Sequence, residues 1–425
     1  MKNSMHRIAA LVTRLASAAQ APSKLRLAAC FSALALFLGA QQMSASTTYI
    51  VGTCTSGTQF STIQAALDAS PAPNTVEVCP GQYSEQLTIT NPVTIEGITA
   101  SNGSLAQIVE PVAGFTTNAT VDFLGTLIPA IAQVYVNNVS GGAVNLTNLD
   151  FYGVGSQSVA PNVYFIGIVY AGSSGTINHV STHVDNPASG TGPGLGMWIE
   201  GGSSKPAVTV ENSSIHDFSG EGIMVIGNGE SVTATIKNNM INSDVNPTTT
   251  FDLTLEEGAN ATVTGNFIGG GQAGVFIGGD VTTGSVTSNT IFGSQYGIEL
   301  DSDGVSVKSN NIYGTAIAGI YVDEGINIEA SVVENNTITM VKAAASTGDQ
   351  GIGIELNCNS INSSHVNSNT IMDAFAGYDN APSGFSGSNT YNGLFFNVNP
   401  CSSDAVSSKA RAAAPLKPLA QWRRK

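Results

Sequence analysis

The sequence predicts an all-β fold: a single-stranded right-handed parallel β-helix (a solenoid) with a short N-terminal capping helix. Two observations carry this prediction. One segment pattern recurs seven times with asparagine and isoleucine in fixed register, and a glycine-led apolar block follows it in most copies. Repeats of about 20–50 residues built from short β-type runs indicate stacked coils.

The first pattern ends in an isoleucine, here called the anchor. Val or Ile stands five residues before each anchor, and Asn stands two residues before six of the seven, with Ser213 as the exception. Upstream, Leu146 and Phe151 fit the same frame, with Leu149 in the asparagine position. The anchors are 21 to 33 residues apart, and they are Ile215, Ile241, Ile268, Ile291, Ile312, Ile338 and Ile371.

The second block begins with Gly and continues apolar–variable–apolar, as in GIMV (222–225), GVFI (274–277), GIEL (297–300) and GIYV (319–322). Identical positions of successive coils would stack about 4.8 Å apart. Asparagine suits a turn column because it tolerates left-handed backbone and its amide can bond to the next asparagine. A β-sandwich would lack the fixed asparagine register, and a leucine-rich repeat would show a leucine consensus. The usual crossover rule predicts the right-handed form.

The segment before the repeats predicts one short helix. Ser61 and Gln64 have the spacing of a capping box, and the amphipathic run 61–70 is followed by Pro71. We expect this helix to cover the first coil, whose open edge would otherwise favour aggregation.

Charge is distributed unevenly along the chain. Residues 47–401 contain four lysines, no arginine and 29 acidic residues, a net charge of −25. A protein that neutralises phosphates needs a basic face, so we expect no nucleic-acid partner. The missing arginines also leave no bidentate clamp for a carboxylate or phosphate.

The chain ends predict three segments. Residues 1–46 resemble a signal peptide, because a basic region precedes the apolar run 27–40 and small residues follow. Fourteen apolar residues are fewer than the roughly 20 that span a bilayer, so we expect no membrane span in the mature chain. Residues 47–401 form the β-helix domain, and 402–425 a disordered basic tail. The expected location is secreted, extracellular or periplasmic.

Four cysteines remain after export. An even number in an oxidising compartment indicates disulfides, and four cysteines allow three pairings. Because two lie near each end of the mature chain, the economical pairing is Cys54–Cys79 and Cys358–Cys401.

Three N-terminal pieces carry a family resemblance: STIQAALDASP (61–71), CPGQYSEQLTI (79–89) and VTIEG (93–97). They resemble the start of pectin methylesterases and other secreted members of the pectin-lyase-like superfamily, including an early Gly-x-Tyr-x-Glu motif at 81–85. The resemblance implies a right-handed parallel β-helix. It does not bring the chemistry, because only 121–125 (VDFLG) is similar to one of the esterases' aspartate segments. The arginine on which pectin esterases and lyases depend has no counterpart between Arg26 and Arg411.

The variable residue two after each glycine is expected to point to solvent. That column would align aromatic rings with carboxylates, and sugar rings stack on aromatic faces while carboxylates accept sugar hydroxyls. The predicted ligand-binding residues are Trp198, Phe276, Glu299, Tyr321 and Glu355.

Catalytic candidates have less support. Glu299 and Glu355 would lie two coils apart, about 9.6 Å, at the upper edge of the inverting range of roughly 6.5–9.5 Å, and Glu299 and Asp301 about 6.7 Å apart. His216 and Asp217 form a His–acid neighbourhood that could do acid–base work, although a surface turn explains them as well.

A further acidic column follows the same strands. Oxygen ligands at this spacing suit calcium, although a solvated turn is the simpler explanation. No cofactor is otherwise required. The candidate metal ligands are Asp280, Asp301, Asp303 and Asp323.

Together these patterns predict a secreted β-helix that binds or scaffolds extracellular polysaccharide without catalysis. The alternatives are a carbohydrate-active enzyme of pectin esterase, lyase or glycoside hydrolase type with a non-standard site, and a surface adhesin.

Overall fold

A computed structural model shows the chain wound into a parallel β-helix, in which each coil contributes one strand to each of three sheets. The structure describes residues 46–153, 160, 162–183, 192–243, 250–279, 281, 283–322, 331–340, 351–356, 365–381, 388–393 and 396–400. Strands within a sheet pair in parallel with the preceding and following coils, and their inward side chains form one continuous apolar core.

Sheet A carries the Val or Ile that precedes each anchor by five residues. These side chains are buried and pair in register from Val210 to Val366, so this predicted column is confirmed. The strands are β1 (Thr48–Val51), β2 (Gln59–Phe60), β3 (Thr75–Val78), β6 (Val93–Gly97), β10 (Val144–Thr147), β13 (Gly175–Asn178), β16 (Ala207–Glu211), β19 (Val232–Lys237), β22 (Ala259–Thr264), β25 (Thr283–Thr287), β28 (Val305–Lys308), β31 (Val332–Glu334) and β34 (Val366–Asn367).

Sheet B carries the anchors. They pair in register from Ile215 to Ile371 and are fully buried, which confirms the second predicted column. The strands are β4 (Gly81–Ser84), β7 (Ala106–Val109), β11 (Leu149–Tyr152), β14 (Ser181–His183), β17 (Ser214–His216), β20 (Met240–Asn242), β23 (Phe267–Gly269), β26 (Thr290–Phe292), β29 (Asn311–Tyr313), β32 (Thr337–Thr339), β35 (Thr370–Met372) and β37 (Thr390–Asn392).

Sheet C contains the glycine-led blocks. Its strands are β5 (Leu87–Ile89), β9 (Thr126–Asn137), β12 (Tyr164–Ala171), β15 (Gly194–Glu200), β18 (Glu221–Ile226), β21 (Phe251–Glu256), β24 (Ala273–Ile277), β27 (Tyr296–Leu300), β30 (Ala318–Val322), β33 (Ile352–Glu355), β36 (Ala376–Ala381) and β38 (Phe396–Pro400). One antiparallel strand, β8 (Ala119–Phe123), pairs with β9 and forms a hairpin outside the coil path. This hairpin has no counterpart in the repeat pattern.

The asparagines two residues before the anchors form a buried ladder. Asn310 shows the arrangement: its backbone N–H and side-chain amide donate to Asn336 Oδ1 at 3.0 Å, and its amide also donates to Val286 O at 2.8 Å. The predicted hydrogen bonding from each asparagine side chain to the next is therefore confirmed, and the ladder continues one coil further to Asn389.

The left-handed backbone falls one residue earlier than expected. The residue before each ladder asparagine has positive φ, for example Asn238 at 56° and Ser309 at 56°. The ladder asparagine is needed for its amide, and its predecessor makes the turn.

The predicted helix is present as α1 (Ile63–Leu67) and packs its apolar side chains on the core. Its N-cap is Thr62 and not the expected Ser61, because the Thr62 side chain accepts from Ala65 N. Glu85 accepts from the backbone N–H groups of Ile63 and Gln64 at 2.8 and 2.9 Å. The glutamate of the Gly-x-Tyr-x-Glu motif thus has a structural role.

The Cys54–Cys79 disulfide is confirmed, with its Cα atoms 5.5 Å apart. Cys358 and Cys401 lie outside the described residues, as do the predicted signal peptide up to residue 45 and the tail 402–425. In the described part of the chain, no helix has the length and apolar character needed to cross a membrane.

We predict that Asn310→Ala destabilises the protein by about 2–4 kcal/mol, because buried groups of Asn289 lose their acceptor. The matched control is Asn311→Ala, since Asn311 is exposed beside it. Urea denaturation followed by circular dichroism measures both. Equal destabilisation by the two variants would contradict the ladder's role.

Candidate functional site

The outer face of sheet C presents one residue two positions after each glycine. The structure places the five predicted residues in register in this column, together with Val169 and Met224, which the same glycine pattern includes. Thr254 stands between Met224 and Phe276, and the sequence pattern missed it because β21 has Asp252 where its neighbours have glycine. The register of this column is confirmed.

The glycines of sheet C are required by packing. A Cβ on Gly297 would clash with the carbonyl oxygen of Gly319 and lie 2.5 Å from Cγ2 of Ile312, the anchor of the next coil. Gly274, Gly319 and Gly353 each meet the following anchor in the same way. The glycine-led block therefore exists because an anchor side chain occupies the space over its backbone.

Trp198 is not exposed, so the prediction that its side chain points to solvent is wrong. Its ring is fully buried and packs edge-on against Phe123 of the β8–β9 hairpin, with centroids 6.2 Å apart. Its Nε1 donates to Glu200 Oε2 at 3.0 Å, and the backbone N–H of Asp122 donates to the same oxygen at 3.2 Å. Burial raises the pKa of the Glu200 carboxyl, although these two hydrogen bonds oppose the rise. The hairpin covers this part of sheet C.

Phe276 is also buried, at 3% exposure, where solvent exposure was expected. It packs edge-on with Phe251, with ring centroids 5.5 Å apart, and Ala273 and Tyr296 complete the cluster. The residue before each glycine also faces outward, and the alternation rule did not account for this second outer column. Phe276 is covered by its neighbours on the same face.

The C-terminal part of this outer column of sheet C is acidic. Glu299, Tyr321, Glu355 and Asp379 occupy four consecutive coils and are here called the acidic column. The three carboxylates are 9%, 2% and 5% exposed, whereas Tyr321 is half-buried and contacts Tyr296 at 5.3 Å. Carboxylates are rarely withdrawn from solvent to this degree unless they are paired or functional.

Glu299 and Glu355 are two coils apart, as predicted, which corresponds to about 9.6 Å. Glu355 and Asp379 are direct neighbours, about 4.8 Å apart along the stack. Sequence reasoning missed Asp379, although Gly377 and Tyr378 before it repeat the glycine–apolar signal. Within the acidic column, the pair of carboxylates on adjacent coils therefore includes a residue that the sequence analysis did not propose.

The metal candidates are only partly described. Asp301 is half-buried and Asp303 is exposed, while Asp280 and Asp323 lie outside the described residues. Within the part of the chain that the structure describes, no group of three or more His, Cys, Asp or Glu side chains is placed to hold a metal ion. Calcium binding stays a prediction.

His216 and Asp217 do form a pair, with 2.9 Å between Nδ1 and Oδ2, but they lie at the end of β17 in sheet B. The His216 ring stacks on His183 of the preceding coil, with centroids 5.1 Å apart and planes at 15°. Asp217 has φ of 60°, as expected for a turn. These two residues are remote in the sheet order from the acidic column.

His183 pairs with Asp150, with 2.8 Å between Nε2 and Oδ1. Gln107 donates to the other Asp150 oxygen at 2.9 Å. Burial alone would raise the pKa of the Asp150 carboxyl, but these hydrogen bonds together hold it below its ordinary value. No sequence pattern indicates this network, because its members are 33 and 43 residues apart.

The family model described as "Right handed beta helix region" matches residues 194–348. With the three parallel sheets, this match shows that the chain is a right-handed parallel β-helix, as predicted. A comparison with curated protein sequences finds no match.

Several solved structures are similar in fold. DFA-IIIase from Arthrobacter chlorophenolicus A6 without its lid, in complex with GF2, is 13% identical over 84% of this chain and 91% of that one, with a TM-score of 0.46. A PL6 alginate lyase in complex with a trisaccharide is 15% identical over 84% and 80%, with a TM-score of 0.47. The A-module of the mannuronan C-5 epimerase AlgE4 from Azotobacter vinelandii is 14% identical over 80% and 93%, with a TM-score of 0.39. At these values the comparison carries no argument about chemistry.

We predict that Gly297→Ala destabilises the protein by about 1–3 kcal/mol, because its methyl group would displace a packed anchor. Gly279→Ala is the control, since no heavy atom lies within 4 Å of the added carbon. Thermal unfolding of the two variants measures the difference, and a harmless Gly297→Ala would show that the column tolerates a side chain.

We predict that Asp150→Asn destabilises the protein modestly near neutral pH, by about 1 kcal/mol or less because the pair is partly exposed. The folded-state pKa of Asp150 is lowered, so its contribution is present above the unfolded value of 3.8 and is lost as pH falls below it. Melting temperatures of both proteins between pH 3 and 7 should converge in acid. The exposed Asp68→Asn is the control, and a pH-independent difference would contradict this assignment.

Proposed function

We propose that this protein binds an extracellular polysaccharide with the outer face of sheet C, from β24 to β36. The observation that carries the proposal is the acidic column, in which a partly exposed tyrosine lies between carboxylates on consecutive coils. The predicted signal peptide would bring the protein to such a ligand outside the cytoplasm.

The side-chain chemistry of this face suits sugars. Carboxylates accept hydrogen bonds from hydroxyl groups, and such charge-assisted bonds are stronger than neutral ones. Tyr296 and Tyr321 contact each other and reach the surface, so their rings can pack against a pyranose ring. Trp198 lies under the β8–β9 hairpin and Phe276 is covered by its neighbours, so neither ring is part of this proposed surface.

The charge of the domain narrows the ligand class. The mature domain has a net charge of −25 and no arginine, so a polyuronate would meet repulsion and would lack a bidentate partner. A neutral, hydroxyl-rich polysaccharide fits the acidic column better than pectin does. The surface adhesin stays an untested alternative.

A second candidate function is hydrolysis of a glycosidic bond, which the Glu355–Asp379 pair favours. Retaining glycosidases hold two carboxyl groups about 5–5.5 Å apart, close to one coil spacing. One carboxylate would attack the anomeric carbon while the other, protonated, gives its proton to the leaving oxygen. Water would then cleave the glycosyl–enzyme ester and restore both groups.

We predict that Glu355→Gln weakens glycan binding about tenfold or more, because the amide keeps the shape but loses a charge-assisted acceptor. Affinity electrophoresis of the purified protein in gels containing neutral polysaccharides measures retention. Tyr321→Ala should weaken retention as well. Glu230→Gln, at an exposed position, is the matched control. Unchanged retention of Glu355→Gln would remove the acidic column as the binding site.

Turnover is tested separately by reducing-end release from the same polysaccharides. If the protein hydrolyses a glycosidic bond, Glu355→Gln and Asp379→Asn should each lower the rate at least a hundredfold. The hydrolase function is excluded for these substrates if no reducing ends form while retention persists.

A further inference from the structure

Exposed apolar side chains concentrate on the outer face of sheet B. Among the described residues, the exposed large hydrophobic side chains on this face are Tyr152, Met240, Phe267 and Tyr313, at 36–46% exposure. Only Val112 and Leu127 are exposed elsewhere in that part of the chain. Scattered exposed apolar residues need no explanation, but a contiguous group marks an interaction surface.

Three of these residues, with Phe292, form one group here called the aromatic patch: Met240, Phe267, Phe292 and Tyr313. They come from β20, β23, β26 and β29, which are consecutive strands of sheet B. Met240 and Phe267 are direct neighbours, as are Phe292 and Tyr313. The Phe267 and Phe292 rings bridge the two pairs with centroids 4.3 Å apart, and Phe292 and Tyr313 lie 5.9 Å apart.

Glycine makes room for this group. A Cβ on Gly269 would lie 2.8 and 2.9 Å from two ring atoms of Phe292, so the bare backbone of β23 seats that ring beside Phe267. At the other end, the column continues from Tyr313 to Thr339, a side chain too short to cover the tyrosine ring. The patch therefore presents ring surface over three consecutive coils, about 9.6 Å, and Met240 extends the apolar surface by one further coil.

The described outward side chains of the strands that carry the patch are uncharged, although the His216–Asp217 pair lies on β17 beside Asn242. From β20 to β32 the two outward columns of sheet B contain no Asp, Glu, Lys, Arg or His at any of ten described positions. These positions are Met240, Asn242, Phe267, Gly269, Thr290, Phe292, Asn311, Tyr313, Thr337 and Thr339. In a domain of net charge −25, ten neutral positions with hydroxyl and amide groups around aromatic rings match an uncharged ligand that carries hydroxyl groups.

Area argues against a second copy of this chain as the occupant. Three side chains at 36–46% exposure and the half-buried Phe292 offer roughly 300 Å², whereas a stable interface needs about 800 Å² from each partner. A narrow row of rings flanked by threonine and asparagine is better matched by a linear chain of sugar rings.

We propose that the aromatic patch is a second glycan-binding surface, and that it takes an uncharged polysaccharide. Sugar C–H groups pack on the rings of Phe267, Phe292 and Tyr313, and flanking asparagine and threonine side chains bond the hydroxyls. The patch lies on a different sheet from the acidic column, so it stands whether or not the acidic column binds sugar.

The test is affinity electrophoresis in gels containing hydroxyethyl cellulose, galactomannan or polygalacturonate. We expect at least one of the two neutral polymers to retard the protein and polygalacturonate not to do so. The Phe292→Leu/Tyr313→Leu variant keeps apolar packing but removes both rings, so its dissociation constant should rise at least tenfold with little change in melting temperature.

Glu355→Gln separates the two surfaces, because it disables the acidic column and leaves the aromatic patch intact. Retention lost with Phe292→Leu/Tyr313→Leu and kept with Glu355→Gln supports the patch alone. The patch proposal fails if neither neutral polymer retards the protein, or if the leucine variant binds like the unaltered protein. It also fails if sedimentation shows a dimer that the leucine variant converts to monomers, since the patch would then be a subunit contact.

Discussion

The buried asparagine ladder is the interaction on which the rest of this structure depends. Each ladder amide satisfies a backbone carbonyl of the previous coil and the backbone N–H and amide of its asparagine neighbour, as Asn289 and Asn310 do. Because an unsatisfied buried polar group costs about 1–3 kcal/mol, a coil shifted by one residue would lose several such bonds at once. The ladder therefore sets the register that all three sheets share.

Shared register turns single residues into columns. Residues one coil apart, such as Phe292 and Tyr313, are 21 positions apart in sequence yet lie side by side because their anchors are stacked. The coils tolerate insertions of different length, since only the strand positions must align. A functional surface on this fold is consequently built from outward positions of successive coils, and each sheet can present a separate one.

The sequence was sufficient wherever a residue's neighbours came from the repeat itself. The ladder, the anchors and the register of the outward column on sheet C were all predictable, and so was the Cys54–Cys79 pairing. The solvent exposure of the column's side chains was not predictable from the repeats. Trp198, for example, is buried by the β8–β9 hairpin, a segment that has no repeat pattern. The sequence pattern did not identify Thr254, because Asp252 stands where the neighbouring strands have glycine. It did not identify the aromatic patch, because the members of the patch have different positions within their strands. Periodicity predicts contacts along the stack and carries little information about segments that fold over it.

The two candidate surfaces differ in charge, but both lack basic side chains among the described residues. Sheet C has buried carboxylates in the acidic column, whereas the outward side chains of sheet B from β20 to β32 are uncharged around the exposed rings. Among the described residues, neither surface includes a basic group that could hold an acidic sugar, and residues 47–401 contain no arginine. An uncharged ligand rich in hydroxyl groups is the chemistry that the two proposed surfaces have in common. The absence of arginine between Arg26 and Arg411 thus argues against pectin-type chemistry and supports the proposal of a neutral polysaccharide.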